Sequence, residues 1–249
     1  MTSKRSFFRR AACTWGTTLL LGSGACAHRT SSEAPAPAAD AAPRHGHGGH
    51  HGGHHGAMPH RFENAEEWVQ RFEEPGREAW QKPDEVVKAL GLAADAKVAD
   101  IGAGTGYFAV RLARAVPQGR VYGVDIEPDM VRYMGERAQR EGLSNLTPVL
   151  ASAEDAKLPE PVDLVLIVDT YHHVGERVAW LQRLAEKLRP GGRVAIIDFR
   201  VDSSMGPPSV HKLSPERVRE ELEAAGYRQS QTLSFLPEQY FLVFQRQTP

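Results

Sequence analysis

The sequence predicts an α/β fold in which crossover helices connect the strands of a doubly wound, mostly parallel sheet. Short segments rich in valine, isoleucine and leucine alternate with segments of helical periodicity over much of the chain. Such alternation is typical of parallel strands joined by helices. The chain has 249 residues, of which 41% are apolar, and this length suffices for one sizeable hydrophobic core.

The predicted helices and strands follow one another in a regular order. An apolar stripe predicts a helix over residues 63–72, and Pro83 and Gly91 mark the start and the end of a second helix. Strands are then predicted at residues 98–101, 120–124, 147–150, 163–168 and 194–197, and helices between them at residues 108–116, 128–141 and 177–188. A last helix begins at Ser214, and the apolar tail within residues 232–244 suits a closing antiparallel hairpin.

The composition argues against several classes of protein. With 30 basic and 31 acidic side chains the net charge is −1, unlike that of a protein that binds nucleic acid by neutralising phosphates. No apolar stretch approaches the roughly 20 residues that a membrane-spanning helix requires. The only cysteines are Cys13 and Cys26, so a disulfide scaffold, a cysteine zinc site and a catalytic thiol are excluded from the main domain.

The first 27 residues have the layout of a secretory signal peptide. Four basic residues precede a short, mildly apolar run over residues 11–24, and the run ends in small side chains. Residues 3–9 also resemble a twin-arginine export signal, with Lys4 in place of the first arginine. The chain is therefore expected to be exported.

Two cleavage signals stand at the end of this segment. Residues 24–26 resemble a lipoprotein box, in which Cys26 would become the lipidated first residue. Alternatively, an A-x-A site would direct ordinary signal peptidase to cut after Ala27. The expected location is either the periplasm or a membrane surface, to which a lipid would anchor the chain without any spanning helix.

Residues 28–60 are predicted to form a linker, and residues 61–249 the globular domain. The first part of the linker is rich in alanine, proline and serine, which cannot bury enough apolar surface to fold. A run of histidine and glycine follows, and neutral imidazoles bind zinc and nickel. We interpret this run either as a loose, non-catalytic metal site or as a flexible tether; its candidate ligands are His45, His47, His50, His51, His54 and His55.

A glycine-rich turn follows the first predicted strand of the sheet. Its key residues are Asp100, Gly102, Gly104 and Gly106. Three glycines allow a tight turn and let the backbone approach a ligand closely. Tyr107 stands where a dinucleotide-binding motif has its last glycine, and the lysine of a phosphate-binding loop is absent. The string is similar to motif I of the class I S-adenosylmethionine (SAM) methyltransferases.

This resemblance implies a fold and a cofactor. The fold is a Rossmann-like, mostly parallel, seven-stranded sheet that closes with an antiparallel C-terminal hairpin. The cofactor is SAM, and Gly102, Gly104 and Gly106 would form the floor of its site. Asp100 would lie near the amino group of its methionine part, either directly or through water.

Two further segments would complete the cofactor site. Asp125 ends the second strand, and by the resemblance it holds both ribose hydroxyls; its alternative role is to cap the next helix. After the third strand, many family members place an acid against the adenine amino group, with a backbone N–H beside it. Ser152 occupies the position where aspartate is expected, so that Glu154 or Asp155 could take over this role. Ala153 and Glu154 are the residues assigned to it.

The end of the fourth strand is where methyl donor and acceptor should meet. Residues 169–174 lack the Asn/Asp-Pro-Pro-Tyr motif of enzymes that methylate nucleobases or glutamine. The candidate catalytic residues are Asp169, His172 and His173, because an imidazole that titrates near neutral pH could act as a base. Alternatively, one histidine packs against the sheet and the other only forms a hydrogen bond. Residues 198–200 follow the next strand, at the mouth of the same cleft.

A closer resemblance comes from residues 61–83, 169–173 and 239–241, which look like a bacterial subgroup of small methyltransferases of undefined substrate. Broader kinship is with ubiquinone/menaquinone C-methyltransferases, whereas arsenite methyltransferases bind arsenic through cysteines that this domain lacks. The resemblance implies in-line methyl transfer to a small-molecule acceptor. The net charge argues against a nucleic-acid partner. The alternative is an exported, methyltransferase-like binding module that holds SAM or metal without turnover, because SAM is made in the cytosol.

Overall fold

The computed structural model describes residues 64–247. Within them, seven strands form one sheet in the order β3-β2-β1-β4-β5-β7-β6. The predicted fold class is confirmed, including the antiparallel strands at the C-terminal end of the domain. The predicted signal peptide (1–27) and linker (28–60), with all the candidate metal-binding histidines, lie outside the described residues.

Helices and strands alternate as the hydrophobic pattern predicts. The helices are α1 (Ala65–Phe72), α2 (Arg77–Gln81), α3 (Pro83–Ala89), α4 (Tyr107–Ala115), α5 (Pro128–Arg140), α6 (Arg177–Ala185) and α7 (Pro215–Ala224). The strands are β1 (Lys97–Ile101), β2 (Arg120–Asp125), β3 (Leu146–Leu150), β4 (Val162–Val168), β5 (Leu188–Phe199), β6 (Tyr227–Leu233) and β7 (Gln239–Arg246). Short 3-10 turns lie at Tyr171–His173 and Ser209–His211. Of the helices described, none is long and apolar enough to cross a lipid bilayer.

The parallel part of the sheet brings the ends of several strands to one edge, here called the carboxyl edge. β1 pairs in parallel with both β2 and β4, so that Ile101 lies opposite Val124 and Ile167. Parallel strands run in the same direction, and the residues that follow them therefore share this edge. The glycine turn, Asp125 and Asp169 are brought together in this way.

The C-terminal hairpin enters the sheet in the opposite direction. β7 lies between β5 and β6 and runs antiparallel to both. Its first residue, Gln239, pairs with Phe199 at the end of β5. The start of β7 therefore also lies at the carboxyl edge.

Apolar side chains fill both faces of the sheet. Successive residues of a strand face opposite sides. Val98 accordingly belongs to the core cluster under α3, α4 and α5, whereas Ala99 belongs to the cluster that includes Trp180 of α6 and Leu222 of α7. Helices thus cover both faces, which is the doubly wound arrangement that the sequence predicts.

Most elements differ from their predicted bounds by up to three residues, two strands begin well before their predicted starts, and one short helix was not predicted. β5 begins at Leu188 instead of residue 194, because its Pro-Gly-Gly segment forms an irregularity within the strand, where the pairing register with β4 shifts. β6 begins at Tyr227, ahead of the predicted hairpin, and residues 228–232 are polar. This polarity suits an edge strand, which must avoid pairing with other chains. The short helix α2 has 5 residues, too few to show a periodic stripe.

Candidate active site

The glycine turn connects β1 to α4 through backbone conformations that favour glycine. Gly102, Gly104 and Gly106 have φ angles of 71°, 54° and 87°, in the left-handed region that other residues adopt only at a cost. A Cβ atom on Gly102 would also overlap the side chain of Thr170. The Gly102 amide donates a hydrogen bond to the carbonyl of Val124 at 2.8 Å. The turn is therefore a concave backbone surface fixed on the end of β2.

Asp125 ties the end of β2 to this turn. Its carboxylate accepts hydrogen bonds from the amides of Gly104 at 2.8 Å and Glu127 at 3.0 Å. Burial raises the pKa of Asp125, and the backbone N–H groups act against that rise. A carboxylate oxygen can accept more than one hydrogen bond, so the same group could also bind the two hydroxyls of a ribose, as the sequence predicts.

Asp100, near the end of β1, is a buried carboxylate with an unused oxygen. The residue is 3% exposed, and its Oδ2 has no hydrogen-bond partner within residues 64–247. Burial, followed by repulsion from Asp125, raises the pKa of Asp100 from 3.8 to about 7, against the influence of Arg77. A buried oxygen without a partner is costly, and an ammonium group would supply the missing partner. This oxygen and the glycine turn together fit the amino acid part of SAM.

The loop after β3 lies next to Asp125, and its acidic side chains face solvent. The amide of Ala151 donates to the Asp125 carbonyl at 2.8 Å. Ala153 and Glu154 are both exposed, and the Glu154 carbonyl accepts a hydrogen bond from Arg183 Nε at 2.9 Å. The structure thus brings this loop to the carboxyl edge, while the adenine-binding role of Ala153 and Glu154 stays a prediction.

Two exposed apolar side chains border this loop and were not among the predicted site residues. Ile126 is 54% exposed and Leu150 is 47% exposed. They are close in the fold because Asp125, which precedes Ile126, pairs with Leu150 in the sheet. An apolar surface beside the predicted ribose-binding carboxylate suits the flat face of an adenine ring. An apolar residue directly after Asp125 was the sequence signal that could have identified Ile126.

Asp169 follows β4 in a strained backbone conformation and accepts two side-chain hydrogen bonds. Its φ angle is 52°, which is costly for a residue other than glycine. Gln81 Nε2 donates to Oδ2 at 2.9 Å, and Gln239 Nε2 donates to Oδ1. Burial, together with repulsion from Asp198, raises the pKa of Asp169 to about 7, against the influence of Arg77.

His172, in the turn after Asp169, forms a buried pair with Asp198. Its Nδ1 lies 2.8 Å from Asp198 Oδ2, and the two side chains are 4% and 2% exposed. The other oxygen of Asp198 accepts a hydrogen bond from the Phe199 amide at 2.9 Å. A carboxylate at Nδ1 holds the ring proton there and leaves a lone pair on Nε2. The ring centroid of His173 lies 4.1 Å from that of His172, so the structure brings both predicted histidines together.

The turn that carries these histidines is attached to α7 by a charged cluster. The hydroxyl of the buried Tyr171 donates to Glu221 Oε2 at 2.9 Å. Arg177 donates to both oxygens of Glu221, at 2.7 and 3.0 Å. Although burial acts in the other direction, these donors hold the pKa of Glu221 below its usual value. His172 therefore stands on a turn with little freedom to move, and Glu221 is a residue that the sequence analysis missed.

Residues 65–82, here called the strap, cross the carboxyl edge. A Cβ atom on Gly104 would lie 3.4 Å from Cε2 of Phe72, so the Phe72 ring rests on the glycine turn. The ring of Trp80 lies 5.5 Å from that of Phe199, the residue after Asp198. The strap therefore contacts the glycine turn through Phe72 and the end of β5 through Trp80.

A cavity of about 910 Å³ opens elsewhere, beside α4. It is bordered by Tyr107, Val110 and Arg111 of α4 and by charged residues of the strap, α3 and α5. None of the predicted cofactor-binding or catalytic residues lines it, so it is separate from the site at the carboxyl edge. In the described part of the chain, no group of three or more histidine, cysteine or acidic side chains is placed to hold a metal ion.

The sequence of this chain is similar to those of known proteins. Residues 92–236 match a family described as "Methyltransferase domain". The chain is 33% identical over 140 residues to 27-O-demethylrifamycin SV methyltransferase of Amycolatopsis mediterranei, which is 55% of this chain and 50% of that protein. It is also 33% identical over 115 residues to a ubiquinone/menaquinone biosynthesis C-methyltransferase of Syntrophotalea carbinolica, which is 45% of this chain and 48% of that protein.

A solved structure shares the fold as well. The SAM-dependent methyltransferase from Aquifex aeolicus superposes with a TM-score of 0.67 at 27% identity, over 73% of this chain and 98% of that one. In contrast, the chain spans about half the length of the curated relatives it matches. The similarity is therefore to a methyltransferase domain, and it covers only part of each curated relative.

Proposed function

Because this chain belongs to the methyltransferase-domain family and has the fold of the class I SAM-dependent methyltransferases, we propose that it methylates a hydroxyl oxygen of a small molecule. The buried pair of His172 and Asp198 at the carboxyl edge is the observation that carries this proposal. The name of the rifamycin relative, which refers to a substrate lacking a methyl group on oxygen, supports an oxygen acceptor. The quinone relative is named a C-methyltransferase, so methylation of an acidic carbon is the other outcome that the test distinguishes.

The cofactor would be held by the glycine turn and by two carboxylates. Asp100 has an unpartnered oxygen that would bind the ammonium group of SAM, and the carboxylate of Asp125 would bind the ribose hydroxyls. Ile126 and Leu150 would cover a face of the adenine. When bound, SAM supplies an electrophilic methyl group on a sulfonium.

His172 would act as the general base. When a hydroxyl oxygen of the acceptor takes up the methyl group that SAM would supply, the hydroxyl proton would pass to Nε2 of His172. Asp198, on Nδ1, keeps the ring in the required tautomer and stabilises the imidazolium. Both side chains of this pair are buried, and this burial would keep bulk water from the reacting groups.

Calorimetry with SAM tests the cofactor site without any acceptor. We expect the wild-type chain to bind SAM, and D125A and G104V to bind it at least about tenfold more weakly, since each loses a contact or blocks the turn. D95A, a change at an exposed aspartate, is the matched control. Equal binding by all four proteins, or binding by none, would contradict the proposed site.

Formation of S-adenosylhomocysteine (SAH) from a panel of phenols, alcohols and acidic carbon compounds then tests the reaction. Methylated oxygen in the product, identified by mass spectrometry, supports the proposal. Methylated carbon would replace the acceptor class. SAM binding without SAH formation from any compound would favour the binding module that the export signal suggests.

Export itself is proposed from residues 1–27, whose charge and apolar run support a signal peptide. Cell fractionation and mass spectrometry of the mature N-terminus test this proposal. A lipidated Cys26, lost in C26S, would support the lipoprotein form, whereas cleavage after Ala27 would support plain secretion. An intact N-terminus in the cytosol would overturn both.

The histidine run is proposed to bind zinc or nickel loosely, with micromolar affinity. Deletion of residues 45–55 should abolish metal binding in a zinc titration, because it removes all six proposed ligands. SAM affinity and turnover should not change. A loss of turnover on deletion would contradict a non-catalytic role.

A further inference from the structure

Three segments that are far apart in the chain meet at the carboxylate of Asp169. Gln81 ends α2, and Gln239 begins β7. Gln81 Nε2 donates to Asp169 Oδ2 at 2.9 Å and to Gln239 Oε1 at 3.2 Å, and Gln239 Nε2 donates to Asp169 Oδ1. The two glutamines are 0% and 2% exposed. Their amides therefore connect the strap to the sheet from inside the protein.

The polar atoms of this cluster are used within it. Gln81 Nε2 has two acceptors, and Gln81 Oε1 accepts a hydrogen bond from Arg77 Nε. Each oxygen of Asp169 has an amide donor. Asp125 also has a donor on each oxygen, but those donors are backbone amides next to its own strand. Both donors at Asp169 are side chains that come from distant segments. The bonding at Asp169 thus favours a role in positioning other elements.

The same network reaches the glycine turn. Arg77 Nη1 donates to the carbonyl of Phe72, whose ring rests on Gly104. The next residue of the strap, Glu73, accepts a hydrogen bond from Thr105 Oγ1 at 3.0 Å. A molecule seated on the turn would therefore lie beside this part of the strap.

Strained residues lie just before the strap and at its last position. Asn64 and Lys82 have φ angles of 67° and 45°, which are costly for residues with a Cβ atom. Lys82 also precedes Pro83, and proline disfavours compact backbone conformations in the residue before it. Gln81, which is bonded to Asp169, directly precedes Lys82 and anchors this end of the strap.

We propose that Gln81 and Gln239 are positioning residues that, through Asp169, hold the strap closed over the bound cofactor. They would thereby set the rate at which SAM and SAH leave. This inference rests on the proposed function, which places SAM on the glycine turn. In this arrangement Asp169 is the fixed acceptor for the strap and does not act on the methyl acceptor.

The rate of SAH dissociation from the full chain, measured by stopped flow, tests this proposal. Q81A and Q239A should each release SAH about fivefold faster, as expected for the loss of one or two buried hydrogen bonds. Their combined effect should be less than the product of the two, because both act through Asp169. Q231A, a change at an exposed glutamine of β6, should leave the rate unchanged.

Amide hydrogen exchange distinguishes positioning from general loss of structure. Exchange within residues 65–82 should rise in Q81A and Q239A, while exchange in β1 and β2 stays at the wild-type level. If Q81A does not fold, D169N makes the same test, because an asparagine oxygen can accept from one glutamine while its amide opposes the other. Unchanged SAH release and strap exchange in the folded variants would overturn the inference. Failure of the wild-type chain to bind SAM or SAH would instead overturn the proposed function.

Discussion

The carboxyl edge has two halves that use buried carboxylates in opposite ways. At the end of β1, Asp100 keeps an oxygen without a partner among residues 64–247, whereas Asp169 after β4 has an amide donor on each oxygen. Burial raises the pKa of both groups to about 7. A raised pKa therefore does not by itself identify a catalytic or ligand-binding acid. The hydrogen-bond partners separate the two groups: Asp100 has an oxygen without a partner in the described part of the chain, whereas Asp169 binds side chains from two distant segments.

The largest effect is expected from changes to the proposed general base, His172, and its partner Asp198. H172N and D198N should lower the rate of SAH formation about 100-fold, since each removes or misdirects the proton acceptor. SAM affinity should stay at the wild-type level, because neither side chain belongs to the β1–β2 half of the edge. H211N, in an exposed turn, is the control. A normal turnover rate in H172N would remove this histidine from the mechanism.

The next largest effect concerns the free oxygen of Asp100. D100N should weaken SAM binding about tenfold or more, because it replaces a charged acceptor facing an ammonium group. At pH 8 it should also raise the melting temperature of the ligand-free protein by about 4 °C, since an ionised carboxylate is no longer buried without a partner. Calorimetry and thermal unfolding measure the two effects. A loss of both affinity and stability would contradict the inference that Asp100 keeps an oxygen free for a ligand.

A smaller effect is expected on the apolar side of the cofactor site. I126A should weaken SAM binding about fivefold, because it removes apolar surface that the adenine would cover. V210A, which truncates an apolar side chain that is 85% exposed, should have no effect. Equal affinities of the two variants would place the adenine elsewhere.

The smallest expected effect is the release of a proton from Asp100 when SAM binds. In the ligand-free protein, Asp100 has a pKa of about 7 against 3.8 for an ordinary aspartate, so between these values the folded state holds a proton that the unfolded state has lost. The contribution of Asp100 to stability therefore falls as pH rises from about 4 to 7. An ammonium group beside Asp100 favours its ionised form, and SAM binding at pH 7 should release about half a proton. Calorimetry in buffers of different ionisation enthalpy measures this release, which D100N should abolish.

The sheet and the cofactor half of the site could be predicted because their signals are local. Runs of valine, isoleucine and leucine mark the parallel strands, and the glycine turn with Asp125 lies within a short stretch of chain. The structure brings Asp100, Asp125 and the loop with Glu154 to one edge, as parallel strands require. Their roles in binding SAM stay predictions.

The other half of the site depends on contacts between distant residues. His172 and Asp198 are 26 residues apart, and Gln81 and Gln239 are 158 apart. Hydrophobic periodicity carries no information about which polar side chains will meet across a fold. Only a family resemblance linked three segments of the sequence, residues 61–83, 169–173 and 239–241. The structure brings Gln81, Asp169 and Gln239 from these segments into one cluster.

The position of β7 has a consequence for biosynthesis. This strand is made after all the others described, yet it lies inside the sheet, and its first residue completes the cluster at Asp169. A nascent chain that stops at residue 238 would leave one side of β5 unpaired and would lack the donor from Gln239. During translation, completion of the sheet and closure of the strap therefore become a single late event.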